Sequence, residues 1–300
     1  MTRKNLRSNA LLAVSLAWIL SGCAPNQTDP SSTQSEDPGD AAIGEARDLA
    51  ELAALAIGPQ RSPEHIARNP ERHPVETLQF FGLERDMTVL EILPGGLWYG
   101  EIISPYVREE GQYIAAGYDT SRPDAPAYQV RLQEAMETRF ESQPETFGGA
   151  RIATLSPPDA VDLGEPGSVD AVLTFRNMHG WVRDGVESQV LSAFYEVLRP
   201  GGVLGIVQHR AGPLSDPDPE AFIGYLAEER VIAMVEAAGF VLEATSEINA
   251  NPRDTADHPR GVWTLPPSLR LGEQDRERYE AIGESDRMTL RFRKPESGED

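Results

Sequence analysis

Cysteine and lysine are nearly missing from this chain. Among 300 residues there is one cysteine, Cys23, and only Lys4 and Lys294 are lysines; every other basic residue is arginine. A lone cysteine excludes an internal disulfide framework. The arginine bias reads as composition rather than as an arginine-specific function. Positive charge is scarce as well: 27 Lys+Arg face 48 Asp+Glu, for a formal net charge of −21. Nucleic-acid binding needs clustered cations that neutralise phosphates, so no nucleic-acid partner is expected. No Gly-x-Ser-x-Gly elbow follows a strand, which argues against a serine hydrolase. Leu93–Gly100 does not supply the Gly-x-Gly-x-x-Gly fingerprint of a dinucleotide dehydrogenase. What remains is 40% hydrophobic and 25% charged, the composition of an ordinary globular protein.

The N-terminus carries an address. Arg3, Lys4 and Arg7 precede the apolar stretch Ala10–Leu20, which is followed by Ser21, Gly22 and Cys23. That stretch is too short to span roughly 30 Å of hydrocarbon as a permanent helix. A basic start, a short apolar core and small residues at a cleavage point are the parts of a secretory signal. With cysteine next, the segment resembles a bacterial lipoprotein signal peptide and its lipobox. The resemblance implies cleavage before Cys23, lipidation of that cysteine, and a membrane contact made through the acyl anchor only. Ala24 in place of aspartate implies the periplasmic face of the outer membrane. The expected organisation is a signal peptide over 1–22, a flexible tether over 23–42 and one domain over 43–300.

Within that domain, Leu49, Leu52, Leu55 and Ile57 on an alanine-rich background predict an amphipathic helix over 43–57. Ser62 is placed to cap a short helix that starts at Pro63, and Val75–Gly82 reads as another. From Met87 strands and helices alternate. Strands are predicted at 88–93, 112–117, 151–155, 168–175, 203–208, 240–246 and 288–293. Helices are predicted at 98–107, 125–141, 186–198 and 220–238. Residues 248–285 read as a polar region rich in Pro and Asp. Such alternation implies an α/β fold: a Rossmann-like, doubly wound, seven-stranded sheet, mostly parallel, with N-terminal helices.

Ligands of such sheets sit beyond the carboxyl ends of the strands. There the sequence places Gly95 and Gly96, which let the backbone approach a ligand, and Asp119, 23 residues beyond Gly96, near the spacing of an acid that accepts from ribose hydroxyls. His179 and His209 follow later strands and are the candidates for proton transfer; Asn177, on the expected substrate side, is a candidate substrate contact. His73 is a candidate substrate contact from the N-terminal helices. Asp254, Asp257 and His258 cluster in a Pro-rich loop, but their spacing fits no closed metal site, so no metal is expected.

These residues resemble the class I S-adenosylmethionine-dependent methyltransferases over about 60–294. Glu91 stands in the place of the acid in the first glycine-rich motif. Gly117-Tyr118-Asp119 resembles the end of the family's second strand. Asp159-Ala160, Leu163 and Ser168–Val172 resemble the stretch whose first aspartate lies beside the adenine, and Leu198–Gly202 resembles the turn into strand five. Met288–Arg293 resembles the antiparallel final strand. Arg72-His73-Pro74, Phe80-Phe81-Gly82 and Pro94–Tyr99 are similar to a group of exported bacterial predicted methyltransferases. The departures are Leu93 and Leu97, where the motif has glycine.

The resemblance implies S-adenosyl-L-methionine as cofactor, held by Glu91, Gly95, Gly96, Asp119 and Asp159, and methylation of a small-molecule or envelope substrate. The rival expectation is a lipoprotein that keeps the fold as a non-catalytic binding module.

Overall fold

A computed structural model describes residues 38–212 and 223–296, with side chains described from residue 46. Cys23, the signal segment and nearly all of the tether lie outside the described residues. The described chain from Ala42 onward forms one unit. Among the described residues no helix is long and apolar enough to cross a membrane.

Helix α1 (Pro38–Ala56) leads into three short helices, α2 (Pro63–Ile66), α3 (Asn69–Arg72) and α4 (Pro74–Phe80). In α1 the residues that bury are Leu52 and Ala56, one helical turn apart, whereas Leu49 and Ile57 are exposed. Ser62 caps α2 as expected, accepting from the His65 amide.

The alternating part runs β1 (Thr88–Ile92), α5 (Gly100–Val107), β2 (Gln112–Gly117), α6 (Ala127–Ser142), α7 (Pro144–Phe147), β3 (Arg151–Ser156), β4 (Ala160–Asp162) and β5 (Val169–Phe175). It continues through α8 (Met178–Asp184), α9 (Glu187–Val197), β6 (Leu198–His209), α10 (Glu228–Ala237), β7 (Val241–Ser246), β8 (Pro259–Val262), α11 (Arg276–Ile282) and β9 (Arg287–Arg293).

One sheet has the order β4-β3-β2-β1-β5-β6-β9-β7. Strands β3, β2, β1, β5 and β6 are parallel; β4 and β9 pair antiparallel with their neighbours. The sheet is therefore the expected doubly wound one, with eight strands rather than seven. The added member, β4, is a three-residue edge strand folded back on β3, too short to carry a hydrophobic period.

Two apolar layers explain the pattern. Leu90, Val172, Leu204 and Ile206 face α8, α9 and α10, while Val89, Ala171, Leu173 and Val203 face α1, α4 and α5. Strands buried on both faces read as continuous apolar runs, which is why they stand out in the sequence.

The helix expected over 220–238 starts only at Glu228. Ala227, at φ −66° and ψ 136°, is still extended. The polar stretch 248–285 contains β8 and α11, which sequence periodicity does not announce.

Strand order reverses between β1 and β5. Asn177 ties the two ends together, its Nδ2 donating to Ile92 O at 2.8 Å. This reversal fixes where a ligand can sit.

Candidate functional site

A cavity of about 420 Å³ opens at that reversal. Its floor is the loop after β1, and one side is formed by the N-terminal helices through His65, Arg68 and Arg72. The other side comes from Phe175, Arg176, Asn177, His179 and His209, closed by Trp263, Pro266 and Glu284 from the polar stretch. A second cavity of about 240 Å³ shares Leu93, Tyr118, Arg176, Asn177 and His179 with the first and runs towards Ser156 and Pro157.

The loop after β1 has the backbone of a glycine turn without all of the glycines. Leu93 (φ 45°), Gly95 (φ 56°) and Leu97 (φ 62°) all take left-handed conformations. A leucine there costs roughly 1–2 kcal/mol against glycine. A Cβ built on Gly95 or Gly96 would meet nothing within 4 Å. The loop is thus open above and paved below by Leu97, which is 1% exposed.

Glu91 lies under this loop, buried, and accepts from Tyr113 Oη at 2.7 Å. Burial pushes its carboxyl up to about 7, against that hydrogen bond. Trp98 and Tyr99 bind the loop to the N-terminal helices: Trp98 Nε1 donates to His65 O (3.0 Å) and Tyr99 Oη donates to Arg72 O (3.2 Å). Tyr99 stacks on Phe175 with centroids 3.7 Å apart. The guanidiniums of Arg61 and Arg72 lie against the Trp98 ring, 4.5 and 4.8 Å from its centroid.

The two histidines meet in the cavity with ring centroids 5.5 Å apart. Burial brings His179 down to about 4 and His209 well below the usual imidazole range, with nearby cations acting the same way. Both rings are therefore neutral at pH 7. Gln208 Nε2 approaches Gly224 O (3.2 Å) as well as His179 Nδ1 (3.3 Å), so it is the amide nitrogen, and it can only donate. His179 Nδ1 then accepts, and its ring proton sits on Nε2. His209 Nδ1 lies 2.6 Å from Ser285 Oγ, a group able to accept as well as donate.

Not every candidate reaches the cavities. Glu91, Gly95, Gly96, Asn177, His179 and His209 share the wall of the larger one. His73 does not line it, and the neighbouring Arg72 takes that place. Asp119 lines neither cavity; it accepts from the amide and hydroxyl of Ser121, which lower its pKa. Asp159 is exposed in the β3–β4 turn and pairs with Arg122. Asp254 and His258, the residues that invite a metal reading, are buried against each other at 2.8 Å, with Tyr225 Oη donating to Asp254. Among the described residues no group of three or more His, Cys, Asp or Glu could hold a metal ion.

Sequence reasoning missed Arg68, Arg176, Trp263 and Glu284. Arg176 carried a usable signal: it follows directly on the strand that ends at the switch point.

No family model and no curated protein matches the sequence. Solved structures do resemble the fold. A geranyl diphosphate methyltransferase in complex with S-adenosylmethionine superposes with a TM-score of 0.51 at 16% identity, covering 86% of this chain and 93% of that one. A structure from Galdieria sulphuraria, described as a sarcosine dimethylglycine methyltransferase, gives 0.51 at 14%, covering 77% and 88%. The fold is that of the class I methyltransferases. A structure described as the [4+2]-cyclase SpnF matches equally well, with a TM-score of 0.50 at 16% identity, covering 85% and 96%. The methyltransferase fold is thus shared by proteins with different named activities, and at these identities the likeness concerns the fold alone.

Proposed function

We propose that the protein is an S-adenosylmethionine-dependent methyltransferase, anchored through Cys23 in the bacterial cell envelope on the periplasmic face of the outer membrane. The observation that supports this best is the loop after β1. Two leucines are held in left-handed backbone there, so that Gly95 and Gly96 remain open at the switch point. Strain of this kind persists only where the surroundings over-determine it.

The residues present fit the cofactor. The open glycines and the buried Glu91 face one cavity, and the second cavity adjoins it across Leu93 and Tyr118. Glu91, Gly95, Gly96 and Asn177 would hold the amino-acid end. Tyr118 and the Ser156–Pro157 segment would line the nucleoside end, and Asp119 would reach it by turning away from Ser121. When bound, the cofactor supplies an electrophilic methyl group on a sulfonium.

The chain's own task is then positioning, which can account for most of the rate in such a transfer. Trp263, Pro266 and Pro267 form an apolar rim on the larger cavity. His179 offers its Nε2 proton to orient the acceptor. With Nδ1–H donating to Ser285, His209 would present its Nε2 lone pair for the proton that the acceptor loses. Both imidazoles are weak bases, so the acceptor must be held well rather than strongly deprotonated.

The rival reading, a binding module without methyl transfer, draws on one feature: the Leu93 side chain lines both cavities. Calorimetric titration of the full-length chain with S-adenosylmethionine and S-adenosylhomocysteine separates the two. The enzyme reading expects binding of both. No heat and no thermal shift at millimolar ligand, an upper limit on the scale of useful cofactor affinity, sinks it.

A further inference from the structure

One end of the larger cavity is basic: Arg68, Arg72 and Arg176 line it, with Arg287 close by. Four arginines, Arg68, Arg72, Arg176 and Arg287, converge on one carboxylate, Glu284. The distances are 2.7 Å from Arg68, 3.0 Å from Arg72, 3.1 Å from Arg287 and 3.9 Å from Arg176. Burial works to raise the Glu284 carboxyl, but these arginines bring it down to about 2. Glu284 is therefore already fully ionised, and one negative charge answers four positive ones. Glu91, the other acid on the wall, is held towards neutrality by burial.

Buried charge without a counter-charge is costly. Arg72 is 3% exposed and Arg287 is 3% exposed, so water screens them little. Arg68, Arg72 and Arg287 also have structural work, tying α3 to the segment before β9, and Arg287 reaches Glu71 O. Arg176 is different. Its backbone sits at φ 64°, and among the described residues its ion-pair partner is Glu284 alone, at the longest of the four distances. It lines both cavities. A guanidinium so placed has donors left for a ligand, in a fork that suits carboxylate or phosphate oxygens. This occurs in a protein of formal net charge −21, whose overall field repels anions. Around the basic end the walls are aromatic: Tyr99, Phe175 and Trp263.

We infer that this wall binds the anionic end, a carboxylate or phosphate, of the molecule that is methylated, with the aromatic walls around its body. Calling that molecule a methyl acceptor rests on the function proposed above; the binding of an anion does not. The acceptor is then a small organic acid or phosphate ester, with the nucleophilic atom facing the histidines and the charge at Arg176 and Arg72.

The test uses the full-length chain saturated with S-adenosylhomocysteine and two probes of one shape, 4-hydroxybenzoate and 4-hydroxybenzamide, with inorganic phosphate as competitor. A charge-assisted contact predicts that the benzoate binds about tenfold or more tightly than the amide, and that phosphate displaces it. Arg176→Gln should bring the two probes to within about twofold while leaving the affinity for S-adenosylhomocysteine unchanged; Arg176→Lys should keep part of the preference. Equal affinity for the two probes in the wild-type chain, or no binding of benzoate or phosphate, overturns the inference without any variant. It is also overturned if Arg176→Gln weakens S-adenosylhomocysteine and spares the benzoate preference, because the arginine would then serve the cofactor's own carboxylate. If the wild-type chain binds no S-adenosylhomocysteine but discriminates the probes, the methyltransferase reading fails and the anion site stands.

Discussion

Leu93 and Leu97 depart from a glycine motif in the same way and should respond to glycine in opposite ways. Both would be relieved of left-handed strain of roughly 1–2 kcal/mol, and both would incur a glycine's extra chain entropy of about 0.5–1 kcal/mol. The difference is burial. Leu97 is 1% exposed among Trp98, Ile102 and Tyr113, and deleting such a side chain costs about 2–5 kcal/mol. Leu97→Gly should therefore lower the unfolding free energy by about 2–3 kcal/mol, whereas Leu93→Gly, at a half-buried position, should stay within about 1 kcal/mol of wild type. Leu93→Gly should also tighten S-adenosylhomocysteine by opening the cavity floor. Urea midpoints and calorimetry check both. Equal destabilisation by the two variants would mean that the loop, not the side chain's burial, sets the cost.

Glu91 gives the residue scale a pH signature. In the folded chain it holds its proton up to about pH 7, whereas its ordinary value is 4.5. Between those values folding takes up a proton, so Glu91 makes stability fall as pH rises, and the fall is complete above about pH 7. His179, lowered to about 4 from 6.5, acts with the opposite sign: folding releases its proton, and stability rises with pH between those values. A wild-type profile mixes the two. Glu91→Gln removes only the first, so the variant should gain on wild type as pH goes from 4.5 to 7, by up to about 3 kcal/mol. A difference that stays flat across that range would show that Glu91 is ionised in the folded protein.

At the scale of elements, β6 and α4 meet through a missing side chain. A Cβ on Gly205 would come 2.7 Å from Leu173 Cδ2 and 2.8 Å from the Phe81 ring. Phe81 is 1% exposed and has no room to swing away. Gly205→Ala should push α4 off the sheet and cost about 1–3 kcal/mol, the usual range for overpacking. Because α3 and α4 carry the Arg72 side of the cavity, cofactor affinity should weaken with it. Full stability in Gly205→Ala would show that this junction is looser than its contacts imply.

The same scale shows what the sequence could and could not say. Strands β1, β2, β5 and β6 were legible because apolar residues on both faces make nearly continuous runs, β9 because Met288, Leu290 and Phe292 alternate with polar residues, and Gly95–Gly96 marked the loop that opens the cavity. Strand β4, with three residues, and α8 and α11, with seven each, are too short for a period to emerge. The site suffered most where it depends on contacts distant in the chain. Arg72 and Glu284 are 212 residues apart, and no local pattern joins them. Trp263 and Pro266 come from a stretch whose polarity reads as surface, though it closes the cavity.

For the whole molecule the decisive quantity is charge. If residues 1–22 are removed, three cations leave with them and the net charge becomes −24. Anionic lipid attracts basic segments by about 1 kcal/mol per cation near the surface, and this domain offers the reverse. On the proposed reading, membrane attachment comes from acyl chains on Cys23, at roughly 0.8 kcal/mol per buried methylene. Salt and detergent separate these causes. Wild-type protein in isolated membranes should resist washing at about 1 M salt, where the Debye length is about 3 Å, and should be released by detergent. Cys23→Ser should move the protein to the soluble fraction at any ionic strength. Wild-type protein released by salt, or Cys23→Ser still sedimenting with membranes, would mean that the folded domain binds the surface despite its charge. The lipobox reading would then be lost.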